Sequence, residues 1–130
     1  MSAKPVILTI YSQNHLRRDW YFDFSGAGFI SFLKSVAEEM SQFGIDFSWR
    51  ASPEHTVEIK SYGDLLNAVR LTSPADGVTS RCVGHIIGKS QNLDLMEDLR
   101  RAVNRVAFAP ETIPPDDENR KVCHNCGCGC

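Results

Sequence analysis

Cysteine is almost missing from the body of this 130-residue chain: Cys82 stands alone there, and the other four crowd into the closing stretch RKVCHNCGCGC. The total of five is odd and the sequence holds no Asn-x-Ser/Thr acceptor, which argues against a secreted disulfide framework. In a reducing compartment the thiols are available as ligands or nucleophiles. A basic stripe is also lacking. Lys plus Arg number 14 against 16 Asp plus Glu, for a net charge of −2, so a nucleic-acid surface is disfavoured. Long apolar runs are absent too. Near the N-terminus, Val6 to Leu8 and Ile10 to Tyr11 are interrupted by Thr9, too short a run for a signal peptide or a membrane span. The expectation is a cytoplasmic protein with no membrane partner.

What is present suits one globular domain. With 42% hydrophobic and 23% charged residues, the chain can bury a core without disulfide or metal staples. The β-branched stretch KPVILTIY reads as a strand covered on both faces, and DWYFDF alternates over Trp20, Phe22 and Phe24, so the two are expected to pair as a hairpin. Ser25 is the expected N-cap of a helix whose apolar face is Phe29, Leu33, Val36, Met40 and Phe43, ending at Gly44. IDFSW and TVEIK, separated by ASPEH, predict a second hairpin. Ser61 and Asp64 resemble a capping box that opens a short helix reaching about Thr72, stopped by SPADG. VTSRCVGHIIG predicts a further strand in which Gly84 marks a bulge or a close backbone approach. Ser90 or Asn92 is the expected cap of a last helix with Leu95, Met96, Leu99, Val103 and Val106 on its apolar face.

The order β-β-α-β-β-α-β-α predicts an α+β fold: a mixed or antiparallel sheet with helices packed on one face, followed by a flexible C-terminal tail. Residues 1–109 form the single domain. Residues 110–122, with Pro110, Pro114, Pro115 and clustered acids, form an extended acidic linker, and 123–130 the Cys-rich tail. In element order alone, the early part resembles a ubiquitin-like β-grasp.

Chemistry in the body is sparse. Cys82 and His85 are spaced as two metal ligands or a nucleophile with its base, but no second pair at matching spacing lies nearby, and a buried structural cysteine is the simpler reading. His15, with Arg17 and Arg18 in an expected hairpin loop, could meet an anion; a solvated loop is the plainer alternative. Gly26 and Gly28 in SGAGF suggest a phosphate-cradling turn, without the third glycine or the lysine that would make the motif specific. Phe29, Phe32, Phe43, Trp20 and Trp49 read as core.

The tail differs in kind. Cys123, Cys126, Cys128 and Cys130 follow a C-x-x-C-x-C-x-C pattern, and the repeated C-x-C step resembles metallothioneins over these eight residues. Gly127 and Gly129 let the backbone curl so that four thiolates reach one soft ion, zinc first and copper(I) close behind. His124, adjacent to Cys123, is an auxiliary ligand or a donor to one. The expected function is capture or hand-over of that ion to a protein partner reached by the tail, without turnover. The alternatives are dithiol redox work by Cys123 and Cys126, a ubiquitin-like modifier with a trimmed Gly/Cys tail, and a precursor whose folded leader presents a Cys-rich peptide for modification.

Overall fold

In the computed structural model, which describes residues 4–16, 21–87 and 93–113, the first apolar run becomes β1 (Lys4–His15). As expected of a strand covered on both faces, it lies inside the sheet. β2 (Ile45–Ile59) pairs with it in parallel and β3 (Val69–Ser73) antiparallel. β4 (Val78–Cys82) joins β3, so the order is β2-β1-β3-β4 in a mixed four-stranded sheet. With α1 (Ala27–Ser41), α2 (Tyr62–Asn67), α3 (Val83–Ile87) and α4 (Leu95–Phe108), the fold is α+β. A parallel pair needs a crossover, and α1 supplies it.

The core sits between one face of the sheet and the helices. In β2, Ile45 and Phe47 are buried while Asp46, Ser48 and Arg50 are exposed, the alternation of a strand with one covered face. In β1, Val6, Leu8 and Ile10 belong to the same cluster, joined by Phe29, Leu33, Val36 and Met40 of α1 and Leu99, Val103 and Val106 of α4. The helical spacing in the sequence located these faces correctly. On the other face of β1, Thr9 lies across from Arg70, and Arg70 across from Cys82; all three are buried. The Arg70 guanidinium donates to the Asn67 backbone carbonyl at 3.2 Å and to Asn67 Oδ1 at 2.6 Å, and lies 5.5 Å from the Tyr11 ring centre.

Several elements differ from the sequence reading. Residues 21–24 form no strand with β1; Phe22 and Phe24 instead pack against Phe29 with ring centres 5.3 and 5.4 Å away, while Trp20 lies outside the described residues. The opening hairpin behind the β-grasp comparison is therefore not formed among the described residues. ASPEH does not turn the chain back either. β2 runs through it as one strand, with Ser52 opposite Tyr11 and Thr56 opposite Ser12, so Pro53, Glu54 and His55 form a bulge. A proline is tolerated there because β2 lies at the end of the sheet order and a bulge needs no ladder donor. The expected helix up to Thr72 stops at Asn67, because Val69 and Leu71 pair with Ile10 and Leu8 of β1. Its capping box is present, with Lys60 and Ser61 N–H groups donating to Asp64 Oδ2 at 2.9 and 3.2 Å. VTSRCVGHIIG is a strand only to Cys82, after which Gly84 lies in α3 rather than in a bulge.

The helix ends are corrected by single hydrogen bonds. Ser25 N–H and Oγ both donate to Asp23 Oδ1, so the hydroxyl is committed and Gly26 becomes the N-cap of α1. Phe43 falls past the end of α1, beside Gly44 in a left-handed turn (φ +73°), and is exposed against Phe108 rather than in the core. Asp94, not Ser90 or Asn92, caps α4 by accepting from Glu97 N–H at 3.3 Å; those two residues lie outside the described set. No helix among the described residues is long and apolar enough to cross a membrane.

Lys4, Asp76 and Ala107 tie the start of β1, the turn after β3 and the end of α4 together. Lys4 Nζ donates to the Ala107 carbonyl at 2.7 Å and pairs with Asp76 at 3.0 Å, while Ser73 Oγ donates to the same Asp76 oxygen at 2.7 Å. The Ser73 hydroxyl first, and Lys4 after it, hold the Asp76 carboxyl below its ordinary 3.8. The native state thus takes up this proton less readily than the unfolded chain. Its stabilising contribution is complete above 3.8 and is lost as pH falls through the depressed native value. Asp76→Asn is expected to flatten the acid limb of the stability curve in that window, with a loss of under about 1 kcal/mol at neutral pH, measured by urea unfolding across pH.

The segment expected to begin the linker also has structure at its start. Pro110–Thr112 form a 3-10 turn on which Arg105 acts as a clamp, donating to Thr112 Oγ1 at 3.0 Å and to its carbonyl, while Ile113 packs partly against the core. Residues 114–122 and the tail lie outside the described residues. A chain ended after Ile113 keeps every contact named so far, so its Tm is expected within about 2 °C of the full chain. One ended after Ala109, which removes both Thr112 acceptors and leaves Arg105 only its bond to the Ile86 carbonyl among the described residues, should melt measurably lower.

Candidate functional site

A cavity of about 540 Å3 opens where the β1–β2 register breaks. Its walls come from three segments: Ile10 to Gln13 and His15 at the end of β1, Tyr21 to Ser25 before α1, and Ala51 to Pro53 at the bulge. The bulge inserts Pro53, Glu54 and His55 into β2 opposite the Tyr11–Ser12 step. Close strand pairing is lost at that step, and the cavity lies beside it.

Its polar groups are few and placed by local chemistry. His15 is the last residue of β1, not part of a hairpin loop, and its ring centre lies 4.9 Å from that of the exposed Tyr21. His15 Nε2 is buried and has no hydrogen-bond partner among the described residues. A buried polar atom left in this state costs about 1–3 kcal/mol, so a native protein that keeps one invites an explanation. Asp23 is the charged residue of the lining among the described residues. The Ser25 hydroxyl, and then the Ser25 and Gly26 N–H groups, hold its carboxyl below the usual carboxylate range, so it is anionic at neutral pH. Gln13 Nε2 donates to the Tyr11 carbonyl, and Ser12 and Ser52 are also lining residues. Phe22 supplies apolar surface, braced by Phe24 at 4.8 Å between ring centres.

The other residues singled out in the sequence fall elsewhere. Cys82 is buried at the end of β4, 1% exposed, and His85 follows in α3. The SGAGF turn already holds a carboxylate: Gly26 N–H donates to the Asp23 carbonyl at 3.3 Å and Ser25 to its side chain, an arrangement that opposes a phosphate. Phe29 is core and Phe32 partly so, and Trp49 is half-buried beside Phe47. Arg17 and Arg18 lie outside the described residues, as do Cys123, His124, Cys126, Cys128 and Cys130. Among the described residues, no group of three or more His, Cys, Asp or Glu side chains is arranged to hold a metal ion.

Sequence reasoning picked out His15 but missed Tyr21, Asp23 and Ser52. Two signals were available. Asp23 and Ser25 are spaced for an Asx turn, and a proline inside an otherwise alternating segment marks a bulge at a sheet edge. Compared with protein-family models, with curated proteins and with solved structures, the chain finds no match.

Proposed function

We propose that this protein captures a soft metal ion, zinc or copper(I), through Cys123, Cys126, Cys128 and Cys130 and hands it to a protein partner in the cytoplasm. The observation that carries this is the spacing C-x-x-C-x-C-x-C with Gly127 and Gly129 between the later thiols. Four thiolates complete the tetrahedral set that structural zinc takes, and the glycines remove the Cβ constraints that would resist so tight a wrap. His124 serves as an auxiliary ligand or as a hydrogen-bond donor to a thiolate. The acids and prolines between residues 114 and 122 favour an extended arm over a packed one, so ligands can be exchanged stepwise with a partner. No bond-making turnover is assigned to the chain.

Titration of the reduced protein with cobalt(II) tests the proposal. Thiolate charge-transfer bands with a one-to-one break point are expected, and a peptide of residues 119–130 should behave almost identically, because closing such short chelate loops is entropically easy. Apparent affinity should fall as pH drops below neutrality, since each thiol must lose its proton to bind. Intact mass of the protein isolated under reducing conditions separates the alternatives. A trimmed tail supports the modifier, a chemically altered tail supports the precursor, and an intact tail with a bound ion supports the metal reading.

A further inference from the structure

The outer edge of β2 is separate from both the Cys tail and the cavity. β2 stands at the end of the sheet order, so one side of it has no strand alongside among the described residues. Lys4 is the parallel partner of Ile45, and its N–H donates to the Gly44 carbonyl at 3.1 Å. In a parallel ladder a residue bonds to the two neighbours of its partner, so the even-numbered residues of this part of β2 face β1. Ile45, Phe47, Trp49 and Ala51 therefore turn their N–H and C=O groups outward, where no described residue bonds them. Such an edge is a template for another strand, and native proteins commonly guard it with lysines. This edge carries opposite charges instead. Asp46, Ser48 and Arg50 are exposed on the face away from the core. Asp46 and Arg50 stand about 13 Å apart along the strand, too far to pair with each other. Neither has an ionic partner among the described residues.

We propose that two copies of this chain join β2 to β2, antiparallel about a two-fold axis at Ser48, into one continuous sheet. This register sets Asp46 of each copy across from Arg50 of the other, Phe47 across from Trp49 and Ile45 across from Ala51. The outward-turned residues then form the pairs that exchange both backbone hydrogen bonds. Asp46 and Arg50 fall in the closer, non-hydrogen-bonded class, with Cα atoms about 4.5 Å apart, where opposite charges stabilise and like charges repel. An axis at Phe47 or Trp49 would leave both charges facing Ser or Gly, so the charges select the register. The pattern is its own complement, which an isologous contact requires and a different partner does not. On the core face, Trp49 is half-buried, with its ring 6.2 Å from that of Phe47 in its own chain. Across the axis it meets Phe47 of the second copy, beside a cavity of about 320 Å3 lined by Ala37 and Ser41 of α1 and Ile45 and Phe47 of β2. The bulge at Pro53 ends the pairing segment.

Sedimentation equilibrium of the full chain tests this, with reductant and chelator present so that neither disulfides nor metal at the tail link the copies. The parent is expected to show a monomer–dimer equilibrium with a Kd below about 100 μM. Asp46→Arg and Arg50→Asp each turn two attractive pairs per dimer into repulsive ones and should each raise the Kd at least about tenfold. Both positions are exposed, so the thermal midpoints at low concentration should match the parent's, which separates lost association from misfolding. An equimolar mixture of the two variants places Asp against Arg at both pairs again and should dimerise as the parent does. In amide exchange, Phe47 and Trp49 should be protected in concentrated parent and lose protection on dilution. A parent Kd above about 100 μM, a dimer indifferent to the charge reversals, or a mixture no tighter than either variant alone would each overturn the proposal. So would amide protection that persists on dilution, since the edge would then be covered by another part of the same chain.

Discussion

Leu8→Ala is expected to lower the free energy of unfolding by about 2–5 kcal/mol, the largest single-site effect on stability anticipated in this chain. Leu8 is 0% exposed and lies in the interior strand, with Trp49 opposite it on β2 and Leu71 opposite it on β3. Truncation to Ala removes packing shared by both neighbouring strands. It leaves a void that a strand hydrogen-bonded on both sides cannot collapse into, so the cavity penalty adds to the lost transfer free energy. Thermal melting should show a fall of roughly 10 °C or more. Ser48→Ala, on the exposed face of β2, is the matched control and should shift stability by less than about 0.5 kcal/mol. A loss below about 1 kcal/mol for Leu8→Ala would mean that β1 is not the packed centre of the sheet.

Replacing Cys126 and Cys128 together by Ser is expected to reduce zinc affinity more than a hundredfold. Structural zinc bound by four ligands is held by about 10–16 kcal/mol, and removing two of four soft thiolates should forfeit several of these, each 1.4 kcal/mol being a factor of ten. The hydroxyls left behind are poor ligands at neutral pH. His124→Ala should change affinity little, because the four thiolates already close the coordination shell. Melting of the domain should be the same for the double variant and the parent, since the core is assembled from residues before 114. If zinc, cobalt and copper(I) all bind the double variant as tightly as the parent, the metal reading fails and a processed or modified tail becomes the account to pursue.

The helical faces were legible because their information is local. Phe29, Leu33, Val36 and Met40 repeat at helical spacing, as do Leu99, Val103 and Val106, and any structure that buries them must make those segments helical. The Ser61–Asp64 capping box was legible for the same reason, its two partners being three residues apart. Strand partnerships were not, because alternation says which face is buried and nothing about which strand lies alongside. IDFSW and TVEIK read equally well as the arms of a hairpin or as one strand with a bulge; β1, continuing past Tyr11 to pair with Thr56 through Ile59, selects the second. Val69 to Thr72 could extend a helix until the open side of β1 offers Ile7 to Ile10 as partners.

The two candidate sites divide in the same way. The thiol cluster is visible in sequence because its four cysteines lie within eight residues. The cavity gathers His15, Asp23 and Ser52 from three segments whose proximity depends on a bulge and on the path of the chain into α1. By itself, then, the sequence determined the α+β class and the buried helical faces, and it carries the thiol spacing on which the metal proposal rests, all consequences of residue type at short range. Only the tertiary structure decided that β1 is the interior strand, that ASPEH is a bulge within one strand, and that His15 ends beside a cavity. Those outcomes rest on contacts between residues far apart in the chain, and no local pattern encodes which of the competing long-range pairings buries the most apolar surface.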